Sequence, residues 1–172
     1  MRRAGLRRLL GERLNVPPSS IGLTHRLHGK PVLSPPLNRS GFQFNVSHCE
    51  DLVLYALSSR GEIGIDVEAL RVTEEADRIA SSAFSAREHQ RYTALRPDEK
   101  PLAFLTWWTR KEAFVKATGQ GLCQPLDTFD VSLASSESTC IVQDDHRKVQ
   151  WHICSFFPAH GCIAALAHEA LS

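Results

Sequence analysis

No stretch of this 172-residue chain approaches the ~20 consecutive apolar residues of a bilayer-spanning helix, and the opening residues lack the apolar segment of a secretory signal. Neither a membrane association nor export is therefore expected. The five cysteines, Cys49, Cys123, Cys140, Cys154 and Cys162, are odd in number and contain no CxxC pair. That argues against a disulfide framework and predicts free thiols in a reducing cytoplasm. Internal repeats and low-complexity tracts are missing too. The chain is 42% hydrophobic, enough for one sizeable core or for two small lobes sharing one.

What is present is unevenly spread. Up to His48 there are eight Lys and Arg against one acid, Glu12, a net charge of +7; the remainder has twelve basic and eighteen acidic residues, a net charge of −6. A basic lobe followed by an acidic one predicts an anionic ligand or partner for the first and a cation for the second. The arginine-rich opening could suggest nucleic acid. No aromatic stacking platform or reading motif accompanies it, so nucleic acid is not the expected partner.

The segment 2–14, RRAGLRRLLGERL, places Leu6, Leu9, Leu10 and Leu14 at helical spacing with arginines opposite. Asn15, Pro17 and Pro18 end it. Residues 24–41 are rich in Gly and Pro and read as loop, with a short strand on either side of Gly29. FQFNVSH (42–48) alternates apolar and polar residues, LVLYALS (52–58) is continuously apolar, and 49–51 make the turn of a hairpin. A further strand follows at GIDVEAL (64–70), and 73–83 has helical character. Ser85 with Glu88 forms a capping box, and 101–119 is the longest helical stretch, bounded by Pro101 and Gly119. Segments 128–134, 139–143, 149–157 and 161–169 have strand character. The fold class is α+β, with antiparallel strands and a few helices packed on one side.

Asp66 and Glu68 stand two apart in a β-branched run, so both point to one side of their strand. Such a pair repels itself unless something positive lies nearby. Glu112 and Lys116, at i and i+4, share a helix face with Trp108. Alone they could be a surface ion pair. With Asp66 and Glu68, Glu112 completes a set of three hard oxygen donors, which suits Mg2+ or Mn2+ better than zinc.

Ser47 and His48 lie side by side at a strand end. Neighbours on a strand point to opposite faces, so a Ser–His nucleophilic pair is not expected. Phosphate binding by the two is one reading, a turn-closing His the other. HGKP (28–31) is a glycine turn expected to expose Lys30. His152, Cys154, His160 and Cys162 repeat an H-x-C spacing, but paired strand ends produce this often, and it matches no usual zinc finger.

The motifs GKP (29–31), FNVSH (44–48), GIDVE (64–68), FSAREHQRY (84–92) and WTRKEAFVKATGQGL (108–122), followed by PLDTFDVSL (125–133), resemble the 4′-phosphopantetheinyl transferases. The likeness is to their larger, surfactin-synthetase-type class and runs nearly the whole chain from residue 5. It implies a pseudo-dimer of two similar α+β halves with the coenzyme A site between them. Residues 1–60 would form a basic first half, shorter than the family's, and residues 61–172 a second half carrying the metal-binding acids. The implied reaction moves the 4′-phosphopantetheine arm of coenzyme A onto a serine of an apo acyl, peptidyl or aryl carrier protein. By resemblance Asp66, Glu68 and Glu112 hold the magnesium, with Glu112 also the candidate base, and Lys116 meets the diphosphate. Ser47, His48, Lys30, Lys111 and Arg7 would grip the coenzyme A phosphates and nucleotide. Cys49 departs from the family's usual serine, a small change. The alternative is a shortened relative that only binds nucleotide or carrier protein.

Overall fold

The computed structural model describes residues 2–71, 74–121, 124–131, 138–144 and 148–170. It is an α+β fold whose main layer is a four-stranded antiparallel sheet, packed on one side by helices and on the other by a hairpin.

Helix α1 (Arg2–Leu14) buries Leu6 and Leu10 against Ile21, Leu33 and Phe44, so the leucine stripe makes the first core as its spacing dictates. Asn15, at φ +53°, turns the chain out of the helix. Strands β1 (Leu23–His25) and β2 (Pro31–Leu33) flank the Gly29 turn, where a φ of +85° calls for glycine. Strands β3 (Gln43–Cys49) and β4 (Leu52–Ser58) form the expected hairpin. Leu52, Leu54 and Ala56 of β4 cover Ile63, Ile65 and Val67.

The sheet runs β5 (Ile63–Ala69), β8 (Cys162–Glu169), β7 (Val149–Phe156), β6 (Thr139–Asp144). β5 ends it, with Asp66 opposite Ala165 and Glu68 opposite Ile163. Helices α2 (Ala76–Ala83), α3 (Ala86–Thr93) and α4 (Lys100–Thr118) build the larger core with the inner sheet face, where Phe114 meets Trp151 edge-on. The capping box forms at α3: Ser85 Oγ accepts from Glu88 N at 3.2 Å and Glu88 Oε2 from Ser85 N at 2.9 Å. α4 stops at Gly119, in the left-handed conformation at φ +72°. Among the described residues no helix is long and apolar enough to cross a membrane.

One expected strand is different. Leu126–Thr128 is a 3₁₀ turn and 129–131 pairs with no strand among the described residues; the rest of 128–134 lies outside them. Side chains stand in for a strand partner here. Lys111 Nζ donates to the carbonyls of Leu126 (2.7 Å) and Phe129 (2.6 Å), and Val131 N donates to Glu88 Oε1 (2.8 Å).

Gly64 sets the separation of sheet and α4. A Cβ there would fall inside contact distance of Ala113 O and Ala117 N, and 2.9 Å from Ala117 Cα. Lacking one, β5 lies directly under α4, with Asp66 and Glu68 on the same face as Gly64.

Candidate active site

The close approach at Gly64 brings the last turns of α4 over the carboxylates of β5. Lys116 Nζ lies 2.5 Å from Asp66 Oδ1 and 3.3 Å from Ser47 Oγ, which itself donates to Asp66 Oδ1 at 3.0 Å. Asp66 is buried, and its other oxygen, Oδ2, has no hydrogen-bond partner. β3 is fastened beside β5 by Asn45, whose Oδ1 accepts from Ile65 N at 3.0 Å. Spacing along 42–48 puts Asn45 and Ser47 on one face but does not reveal that this buried amide aligns the two strands.

Glu68 and Glu112 are half-buried beside this group. Burial pushes the Glu112 carboxyl above the ordinary glutamate range, the charge of Asp66 adds to it, Lys116 opposes it and Glu68 adds a little. Burial and then Asp66 also push Glu68 upward, against a hydrogen bond from Trp108 and the charges of Lys116 and Arg71. Three carboxylates thus share one field with a single ammonium among them.

As arranged, no three carboxylate, imidazole or thiolate groups among the described residues stand close enough together to hold an ion. Lys116 faces Asp66. The donor set still fits a hard dication. The buried, unpartnered Asp66 Oδ2 is a ready ligand, and the raised Glu68 and Glu112 signal a shortage of positive charge.

Two of the expected ligand-binding lysines have their ammonium groups held by protein partners, Lys30 in the wall of a cleft that it shares with Lys116. Lys30, expected to be exposed, is buried: its ammonium donates to Glu62 Oε2 (2.7 Å), Ala117 O (2.7 Å) and Ile63 O (3.3 Å). Lys111, expected near the nucleotide, is fully buried in an ion pair with Glu88 (2.7 Å) and in its two carbonyl contacts. Burial lowers the Lys111 ammonium from its usual range, and Glu88 resists that shift. In both cases the ammonium protons are spent inside the fold. Glu62 and Glu88, their partners, stand 32 and 23 residues away, beyond the reach of local spacing.

His48 is exposed on the face of β3 opposite Ser47, so the two are not brought together. Cys162 of the H-x-C pattern is buried under the hairpin, while His152 stacks on His168 at 5.4 Å. The zinc reading gains nothing.

Three clefts adjoin. One of about 270 Å3 is lined by Arg3, Arg7, His25, Pro31 and Val46. Arg7 is exposed at its rim, its Nε donating to Ile21 O at 3.1 Å. Pro31 and Val46 also line a second cleft of about 220 Å3 with Lys116 and Asn45. Val115 and Gly121 join that one to a third, about 290 Å3, holding Glu112, Trp108, Ala83 and Leu126. The run passes from Arg3 and Arg7 past Lys116 to Glu112 and Trp108.

The model of the 4′-phosphopantetheinyl transferase superfamily matches residues 62–167, which include Asp66, Glu68, Glu112 and Lys116. The chain belongs to this superfamily. It is similar to the 4′-phosphopantetheinyl transferase HetI of Nostoc, 33% identical over 94% of this chain and 66% of that one. It is also similar to AcpT of Salmonella typhimurium, 37% identical over 68% of this chain and 59% of the relative, and to psf-1 of Bacillus pumilus, 30% identical over 83% and 58%. Both are named 4′-phosphopantetheinyl transferases. The superfamily member described here thus spans roughly three-fifths to two-thirds of the length of these curated relatives.

Proposed function

We propose that this superfamily member transfers the 4′-phosphopantetheine arm of coenzyme A to a serine of an apo acyl, peptidyl or aryl carrier protein, and that it does so with Mg2+ or Mn2+. The observation that carries the reading is Lys116 on Asp66, with Ser47, Glu68 and Glu112 around them, midway along the run of clefts. An extended donor with a charged nucleotide, a diphosphate and an uncharged arm matches the order of Arg3 and Arg7, then Lys116, then the cleft of Trp108, Ala83 and Leu126. We further read the chain as a surfactin-synthetase-type pseudo-dimer, residues 1–60 and 61–172 being its two halves.

The serine oxygen forms a bond to the phosphorus that bears pantetheine. The bond from that phosphorus to the bridging oxygen breaks, and adenosine 3′,5′-bisphosphate leaves. Glu112, held partly protonation-prone by burial and by Asp66, takes the serine proton directly or through a water. Lys116 swings from Asp66 to the leaving phosphate and neutralises its growing charge. Asp66, Glu68 and Glu112 would hold the dication, which supplies charge neutralisation on the diphosphate. Ser47 keeps Asp66 oriented from β3.

The test is incubation with coenzyme A, Mg2+ and an apo carrier protein, read by mass spectrometry. One phosphopantetheine arm should be added to the carrier; EDTA should abolish this, and Mg2+ or Mn2+ restore it. Binding of coenzyme A or carrier without any transfer would leave only a binding module. Transfer indifferent to chelation, or restored by zinc alone, would remove the metal from the reading.

A further inference from the structure

The Glu88–Lys111 ion pair is wholly buried, with both side chains at 0% exposure, and it lies one residue along α4 from Glu112. Each partner reaches a different wall of the 290 Å3 cleft into which Glu112 opens. Lys111 holds the carbonyls of Leu126, which lines that cleft, and of Phe129, whose ring its ammonium overlies at 4.3 Å. Glu88 accepts from Val131 N with one oxygen and from Ser85 N with the other. Ser85 lies two residues past the end of α2, whose Ile79 and Ala83 also line the cleft, and its Oγ also bonds Asp130. One ion pair therefore ties together α4, the α2–α3 junction and the strandless segment 126–131.

We infer that Glu88 and Lys111 are positioning residues which hold the three walls of the cleft beside Glu112 in register, and so set its affinity for the donor's arm. They touch no substrate in this role. Core packing alone does not require them: two apolar side chains of similar volume would fill the same space, and such exchanges of buried pairs are often neutral for stability. What apolar side chains cannot do is hold the carbonyls of Leu126 and Phe129 or the N–H of Val131. Those groups belong to a segment, 126–131, that has no strand partner among the described residues. In its readout by coenzyme A binding, the inference rests on the donor proposed above.

That distinction gives the test. Lys111→Met alone strands a buried carboxylate and should lower Tm by about 6–20 °C. The double variant Glu88→Met/Lys111→Met should recover most of that loss. Its coenzyme A Kd by calorimetry, and its KM, should nevertheless rise at least about tenfold while kcat changes less than about threefold. Amide exchange at Val131, read by NMR, should quicken in the double variant while Trp151 and Ile153 stay protected. A double variant with wild-type Kd and wild-type exchange at Val131 would overturn the inference and leave the pair a matter of stability alone. If the double variant does not fold, Glu88→Gln decides, since it keeps the shape and one acceptor. A raised KM with kcat intact supports the inference, and an unchanged KM sinks it. If the wild-type chain binds no coenzyme A, the donor reading fails, and exchange at Val131 alone decides for the pair.

Discussion

Lys116 Nζ sits 2.5 Å from Asp66 Oδ1, fifty residues away in sequence. The ammonium supplies positive charge to the Asp66–Glu68 doublet, with Arg71 adding to it at Glu68. Because the same carboxylate is the proposed metal ligand, Lys116 and the metal compete for it.

Lys116→Met should therefore bind Mn2+ more tightly than wild type in the absence of coenzyme A, by about tenfold, while its kcat for transfer falls at least about a hundredfold. Electron paramagnetic resonance of free Mn2+ gives the first number and steady-state kinetics the second. Equal Mn2+ affinities would mean that the ammonium does not stand in the metal's place.

Gly64→Ala should be among the most damaging single changes. The added Cβ meets backbone of α4, which cannot rotate away, so α4 must lift off β5. A loss of about 3 kcal/mol or more is expected, seen as a fall in the urea midpoint, with transfer activity lost as Lys116 is drawn from Asp66. An unchanged midpoint would show that the helix has room to spare.

Lys30 should behave as a structural residue. Its side chain is 4% exposed, and Lys30→Met leaves Glu62 half-buried with only Arg26, at 2.6 Å, to balance it. Stability should fall by about 3 kcal/mol with little change in coenzyme A affinity once the fold is intact. A variant of normal stability but tenfold weaker donor binding would return Lys30 to the ligand site.

The partner Glu62 gives a pH signature. Burial raises its carboxyl, but hydrogen bonds and charges from Lys30 and Arg26 outweigh that and leave it below its ordinary 4.5. A depressed acid contributes stability that is fully present above 4.5 and is lost as pH falls through the folded value. The Tm difference between wild type and Glu62→Gln should thus be steady near about pH 6 and shrink below about pH 4.5. A difference that grows on acidification would reverse the sign assigned here.

With Lys30 and Lys111 committed inside the fold, fewer cations remain for the nucleotide's 3′-phosphate; Arg7 and His48 are exposed. A charge-assisted bond contributes about 1.5–3 kcal/mol. Coenzyme A and dephospho-coenzyme A should therefore bind within about tenfold of each other by calorimetry. A hundredfold preference for coenzyme A would reveal a 3′-phosphate grip built from other residues.

The sequence alone determined what depends on neighbours along the chain. Pro101 and Gly119 bound α4, the capping box starts α3, and apolar alternation makes the β3–β4 hairpin. The period of two puts Asp66 and Glu68 on one face, because strand geometry allows nothing else. Residues 128–131, expected in a strand, show the limit, since side chains of distant Lys111 and Glu88 hold the carbonyl of Phe129 and the N–H of Val131. The three lysines show it most clearly. Helical spacing puts Lys116 on the face of Glu112 and Lys111 about 100° away, but α4 is buried on nearly all sides, so spacing cannot say that Lys111 is enclosed. Only the fold decides, by the carboxylate it brings to each ammonium and the water it removes. Glu62 and two carbonyls enclose Lys30, Glu88 and two carbonyls enclose Lys111, and Lys116 alone of the three keeps an exposed flank, with 31% of its side chain open beside Asp66.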